Sequence, residues 1–223
     1  MKRFWLLLIV LIAIGQSAHA QGVKFGLTAS PQFAFASTFD NDVSTDGVKL
    51  GLEYGLLVDY ILDINGRYAF HTGFLHSLTG AKVAIEQTDT SGNTTIIRQD
   101  LKYQYINIPL TMRLRTNEIG YITYWGQFGL TPGINVSSRI DQSAEPDPNE
   151  VYLRENEKLG GESVLFNLSL TVGGGIEYSL GGATALMVGW QYQNGFTNVL
   201  DNDNLLDETI NFRNLTLRAG FLF

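Results

Sequence analysis

Polar and apolar residues alternate along most of the chain, and no stretch carries a convincing helical stripe. In "LFNLSLTVGGGIEYSL", Phe166, Leu168, Leu170, Val172, Ile176, Tyr178 and Leu180 fall on one face. Asn167, Ser169, Thr171, Gly173, Gly175, Glu177 and Ser179 fall on the other. A period of two marks a β-strand whose faces meet different surroundings. Eight such segments can be placed, at 22–35, 48–62, 67–80, 98–114, 120–136, 164–180, 183–196 and 211–223. The connections between them alternate in length. "DINGR" (63–67), "RTNEIG" (115–120) and "SLGGAT" (179–184) are short, whereas those near 36–47, 81–97, 137–163 and 197–210 are long. Tight turns at one end and long loops at the other predict an all-β fold, an eight-stranded antiparallel up-and-down barrel.

The two faces decide what surrounds such a barrel. A soluble barrel turns its apolar face inward and a charged face to water, and a membrane barrel inverts this. Here the polar faces are small and poor in charge. The first strand sets Lys24, Gly26, Thr28 and Ser30 against Val23, Phe25, Leu27 and Ala29. The second sets Lys49, Gly51, Glu53, Gly55 and Asp59 against Leu50, Leu52, Tyr54, Leu56, Val58 and Tyr60. Glycine and small hydroxyl residues suit a crowded interior better than a solvated exterior. The charges Lys24, Lys49, Glu53, Asp59, Glu177 and Arg218 all share the polar face, as expected when a Lys or Arg facing mid-bilayer lipid costs roughly 2–4 kcal/mol. Phe25, Tyr60, Tyr68, Tyr178, Phe221 and Phe223 cluster at strand ends near the short turns, as an aromatic girdle does. The polarity therefore predicts a transmembrane barrel in a bacterial outer membrane, with the short turns and, for an even strand number, both termini in the periplasm.

The beginning of the chain agrees. "MKRFWLLLIVLIAIGQSAHAQG" has a basic start, an apolar run from Phe4 to Ile14 and Ala18-His19-Ala20. This reads as a secretory signal over 1–20, too short to span a bilayer, followed by a barrel domain over 21–223. The absence of cysteine excludes disulfides and thiolate metal sites. The net charge is −7, without a basic run, and excludes nucleic acid as a partner.

One strand has conflicting faces. In "LKYQYINIPLTMRLR", Leu101, Tyr103 and Tyr105 hold odd positions, but Ile106, Ile108, Leu110, Met112 and Leu114 hold even ones. Either a one-residue bulge before Pro109 switches the faces, or the tyrosines point into the lumen.

Four segments also carry a resemblance. "YINIPLTMRLR", "TVGGGIEYSL", "YQYQNGFTNVL" and the aromatic terminal strand resemble the corresponding strands of PorT-like outer-membrane β-barrel proteins, a family common in Bacteroidota. The resemblance implies an eight-stranded barrel, mostly of unassigned role, with one member class serving a protein-secretion and gliding apparatus.

Candidate chemistry is sparse. His71 is expected on the lumen face and His76 on the lipid face, and His76 and Ser77 point apart, so no nucleophile–base pair is read and no enzyme is expected. The acidic loops, with Asp40, Asp42 and Asp46 and then Asp201, Asp203, Asp207 and Glu208, lack the glycine and glutamate of an EF-hand. No metal or other cofactor is expected. The site residues are instead structural. Lys24, Glu53, Asp59, Glu177 and Arg218 should form a lumen charge cluster, with Trp125 among the residues that report on lumen filling. Phe221 and Phe223 should supply a C-terminal insertion signal read by the barrel-assembly machinery. The expected function is a barrel with a filled lumen, embedded in outer-membrane lipid and presenting acidic extracellular loops to protein partners. The alternatives are a small porin-like channel or an accessory barrel of a secretion machine. A ten-stranded barrel stays open, because the third long loop has room for a hairpin around Val151–Leu153.

Overall fold

The computed structural model describes residues 22–38, 43–45, 47–88, 94–145, 152–158, 164–197 and 210–223. The proposed leader and the acids Asp40, Asp42, Asp46, Asp201, Asp203, Asp207 and Glu208 lie outside them. The strands are β1 (Val23–Thr38), β2 (Val43–Thr45), β3 (Lys49–Ile61), β4 (Tyr68–Thr88), β5 (Thr94–Asn107) and β6 (Leu110–Arg115). They continue with β7 (Ile122–Glu145), β8 (Tyr152–Lys158), β9 (Phe166–Gly181), β10 (Thr184–Gly195) and β11 (Ile210–Leu222).

Eight barrel strands close into one antiparallel ring, in the order β1, β3, β4, β5 with β6, β7, β9, β10, β11. Closure is made where β1 pairs with β11, from Gly26 opposite Leu222 to Thr38 opposite Ile210. Beyond that ladder, Phe25 and Phe223 exchange both backbone hydrogen bonds, at 2.9 and 2.8 Å. A closed ring leaves no strand edge unsatisfied in hydrocarbon, where each unpaired amide would cost several kcal/mol.

β5 and β6 are one barrel strand interrupted at Ile108–Pro109. Pro109 has no N–H to give to the ladder, and the Ile108 N–H bonds the Pro132 carbonyl of β7 at 2.9 Å. The interruption leaves the faces unchanged. Leu101, Tyr103, Tyr105, Asn107, Thr111, Arg113 and Arg115 are all buried on the inner face, so the tyrosines point into the lumen. The bulge lies on the neighbouring strand instead. Gln104 pairs Ser137 and Tyr105 pairs Asn135, leaving Val136 extra. Below it Asn135 faces inward, and above it Ile140 does.

Two short strands stand outside the ring: β2 on β4 and β8 on β7. They mark where the structure departs from the expected loops. Residues 81–97 and 137–163 hold the upper ends of β4, β5 and β7 together with β8. Above the bilayer the outward face of a strand meets water instead of lipid, so the apolar alternation that reveals a strand in lipid fades while the backbone pairing continues.

The outward face is apolar through the membrane zone. Phe25, Leu56, Phe74, Phe128, Leu217 and Phe221 are about half exposed there. Leu215 and Ala219 also point outward, whereas Asn214, Thr216, Arg218 and Gly220 are buried, as the alternation of the last strand requires. His76 points outward and packs on Tyr54 with ring centroids 5.1 Å apart. At the opposite end, the turn after β3 is closed by Asp63, whose carboxylate accepts the Tyr68 N–H at 2.8 Å. Gly66 takes φ +69° in that turn, a conformation that few other residues adopt without strain.

Candidate functional site: the barrel lumen

Inward-facing side chains bring together what is far apart in sequence. Asp59 of β3 lies at the centre of the lower lumen. It accepts from Arg113 at 3.0 Å and also pairs with Arg115 and His71. Arg115 reaches on to Glu177 of β9 at 2.8 Å. Because β3 and β9 stand on opposite walls of the ring, this one guanidinium spans the lumen. A second branch joins Arg218 to Glu53 at 2.9 Å, with the Glu53 carboxylate also accepting from Asn107 at 3.1 Å. The branches meet through amides. Arg113 donates to Gln127 at 2.8 Å, Gln127 donates to Gln191 at 2.8 Å, and Arg218 donates to the same Gln191 oxygen at 2.8 Å.

The tautomer of His71 follows from its neighbours. Arg113 carries no acceptor, so its Nη2 donates to His71 Nε2 at 3.2 Å. Nδ1 then carries the proton and donates to Asp59, which makes this imidazole neutral. Among the described residues, this network balances three guanidiniums, Arg113, Arg115 and Arg218, against three carboxylates, Glu53, Asp59 and Glu177. Charges this deeply buried are stable only when paired and hydrogen-bonded, since removing each from water costs several kcal/mol.

Trp125 of β7 supports the cluster from below. It is buried, and the Arg113 guanidinium sits 4.8 Å from its ring centre, a cation–π contact. The indole fits because the facing wall is glycine. A Cβ on Gly189 would fall 2.6 Å from Trp125 Cζ2, and one on Gly175 would fall 2.9 Å from it.

Of the five residues expected in the charge cluster, Glu53, Asp59, Glu177 and Arg218 lie inside it. Lys24 does not. It stands opposite Asp59 on β1, but Asp59 is already held by two arginines and a histidine, and Lys24 lies half-buried towards the periplasmic rim. Trp125 fills the lumen as anticipated. Phe221 and Phe223 face outward, about half exposed. Arg113 and Arg115 were not anticipated, and they carry most of the connectivity. They share odd positions with Tyr103 and Tyr105, so following that face past Pro109 would have found them.

At the extracellular end a second set of charges stands apart from the lumen network. Lys102 pairs with Asp141, and Lys49 pairs with Asp100. Lys82 and Lys102 are exposed on outward faces here, which places this level above the hydrocarbon. The hydrogen bond from Lys102 holds the Asp141 carboxyl below its ordinary range and raises the ammonium of Lys102. Asp141 also accepts the Asn156 N–H at 2.6 Å, and Arg139 donates to the Asn156 side chain at 3.0 Å. These bonds fasten β8 to the barrel.

The inverted polarity, the closed ring and the buried ion network agree with the sequence comparison. The family model for the outer membrane protein beta-barrel domain matches residues 6–223. The chain belongs to this family. It is an outer-membrane protein with periplasmic termini. A search of curated protein sequences found no match. Among solved structures, the chain is similar to the neisserial surface protein A, at 15% identity and TM-score 0.49, covering 91% of this chain and 98% of that one. It is also similar to Ail, the attachment invasion locus protein of Yersinia pestis, at 16% identity and TM-score 0.38, covering 90% and 98%. OprG of Pseudomonas aeruginosa matches at 13% identity and TM-score 0.39, covering 91% and 97%.

Proposed function

We propose that this protein is a closed, non-conducting barrel whose role is to hold its long extracellular strands and loops where a partner outside the membrane can reach them. The observation that carries the reading is the charge-balanced network crossing the lumen from Asp59 through Arg115 to Glu177. An eight-stranded ring has an interior just wide enough for side chains, and these bonds leave none of them free to swing aside singly. The strands that run past the ring, β4, β5, β7 and β8, supply a braced platform above the bilayer. Catalysis is left out of this reading because both ring nitrogens of His71 are engaged by Asp59 and Arg113.

The test is reconstitution of the purified barrel in planar bilayers at neutral pH. The expected record is a flat baseline, and large stable conductance steps would refute the closure and favour the porin-like alternative. The interaction half is tested by crosslinking in native outer membranes and co-purification, comparing the intact chain with one shortened between residues 146 and 151. Recovery of a solitary barrel from both would refute it. The narrower PorT-like reading rests on the four strand segments that resemble that family, and secretion components among the recovered partners would support it.

A further inference from the structure

The lipid face carries a gap that nothing among the described residues explains. Gly126 of β7 and Gly174 of β9 are cross-strand partners on the outward side. In the same row of paired residues, Leu114 of β6 flanks Gly126 and Trp190 of β10 flanks Gly174. Neither glycine takes a positive φ. A Cβ built on Gly126 would meet only the Gly173 carbonyl oxygen, at 3.9 Å, and one on Gly174 only that of Trp125, at 3.3 Å. The side chains of Leu114 and Trp190 stay more than 4 Å from both positions. Each remaining glycine inside the described strands has an internal reason: φ +102° at Gly181, or a Cβ that would fall less than 3.0 Å from another atom.

The two facing glycines therefore leave a notch floored by bare backbone. Tyr124 and Phe128 bound it along β7, and Val172 and Ile176 bound it along β9. Glycine in a strand costs chain entropy and contributes no packing, and it often marks the close approach of another backbone or a ligand. Close approach is also what holds proteins together inside a membrane. Lipid tails are as apolar as the protein surface, so tight packing at small residues has to distinguish a partner. A fluid acyl chain adapts to a leucine as readily as to a notch and needs no bare backbone.

We propose that this notch is half of a two-fold contact between two copies of the chain, in which Trp190 of each copy seats in the notch of the other. A two-fold interface is self-complementary, so each copy must offer both a projection and a recess. Trp190 is the projection. It is 47% exposed and stands directly across from Gly174, which places projection and recess side by side. It also sits in the middle of β10, away from the headgroup-level ends where tryptophan is usually found. Tyr124, Phe128 and Trp190 are each about half exposed, and a fully covered aromatic side chain buries about 150–250 Å². Three half-covered rings from each copy, with Leu114, Val172 and Ile176 beside them, give a total of about 1,000 Å², where specific interfaces begin.

The experiment uses the full chain in native outer membranes. The chain has no cysteine, so a single introduced one reports on a single contact. β9 lies between the notch and Trp190, which brings its residues nearest to the two-fold axis. Under mild oxidation Val172→Cys should give a disulfide-linked dimer that Leu56→Cys, exposed on the opposite wall, does not. No dimer from Val172→Cys, or equal yields from both, would mean that lipid or chance collision accounts for the notch and overturns the proposal. Adding Gly126→Leu to Val172→Cys fills the recess where a Cβ has room, and adding Trp190→Ala removes the projection. Each addition should abolish the crosslink while the heat-modifiable folded band remains. A dimer that survives Trp190→Ala, or survives Gly126→Leu in the folded band, overturns the proposal as well. No readout depends on conductance, so this inference and the proposed closure can fail separately.

Discussion

Replacing Asp59 by alanine tests the ion network where it is most connected. In the native lumen one carboxylate is held by Arg113, Arg115 and His71, and nothing else within hydrogen-bond reach of Arg113 carries a negative charge. The substitution leaves Arg113 facing an amide, the thioether of Met187 and an indole, and the interior goes from neutral to a net charge of one. Removing one partner of a buried pair typically costs about 3–5 kcal/mol, largely from the charge left behind. Three partners do not triple that figure, because Arg115 keeps Glu177 and the effects of one network are not additive. A loss of about 3–5 kcal/mol lowers the folded-to-unfolded ratio by roughly two to four powers of ten. The assay is equilibrium urea unfolding of the refolded barrel in detergent, followed by tryptophan fluorescence. Trp125 reports directly, since it stacks on the stranded arginine. Asp59→Ala combined with Arg113→Met should recover part of the loss by restoring the balance. A cost below about 1 kcal/mol for Asp59→Ala, the range of solvent-exposed pairs, would mean that the lumen is open to water at this level and would refute the reasoning.

The remaining expectations address other parts of the same structure. Gly189→Ala brings a Cβ to 2.4 Å from the Gly174 carbonyl and 2.6 Å from the Trp125 ring, and should sharply reduce the heat-modifiable folded fraction on unheated gels. The second contact is the movable one, so a gain of folded protein when Trp125→Leu is added would confirm that the indole is part of the conflict. Acid should loosen β8. The Asp141 carboxyl is held low by Lys102, so its contribution is complete above an unfolded pKa of about 4 and is lost as pH falls through the lower folded value. Hydrogen exchange at the Asn156 amide, measured after brief acid pulses, should accelerate below that range and not above it, and Asp141→Asn should show the fast rate throughout. Phe221→Ser with Phe223→Ser removes two outward aromatic rings beside the seam where Phe25 and Phe223 pair, and quantified membrane fractions should contain much less barrel than the parent.

The barrel was legible because each membrane strand must answer two solvents at once. Lipid outside and a crowded polar lumen inside force period-two alternation, and that alternation placed eight strands within a few residues of their ends in the membrane zone. It also placed Glu53, Asp59, Glu177 and Arg218 correctly on the inner face. What stayed hidden lies where that double constraint lapses. Above the hydrocarbon the outward face no longer meets lipid, so "VAIEQT" and "SSRIDQSAE" read as loop although their backbones continue the ladder.

The interrupted strand is a different case, because an unused constraint would have resolved it. A narrow membrane lumen cannot hold several unbalanced charges. With Glu53, Asp59 and Glu177 assigned inside, Arg218 supplies one compensating charge; Lys24 lies too near the periplasmic rim to supply a second, and Lys49 stands at the extracellular end of its strand, where it pairs with Asp100. Two more cations are needed on an inner face. Among the eight predicted strands, "LKYQYINIPLTMRLR" offers Arg113 and Arg115 at odd positions, the parity of Tyr103 and Tyr105. A switch of faces at Pro109 would keep those arginines inside but turn both tyrosines to lipid, with Lys102 and Gln104 inside instead. An unbroken face keeps the arginines and the tyrosines inside together and sends Lys102 outward to Asp141, above the bilayer. The rigid strand parity and the requirement for neutrality therefore name the same inner residues that the structure shows, at every odd position from Leu101 to Arg115. Charge balance summed over the inner faces, rather than the hydrophobicity of any single strand, is what a sequence of this kind offers for settling an ambiguous register.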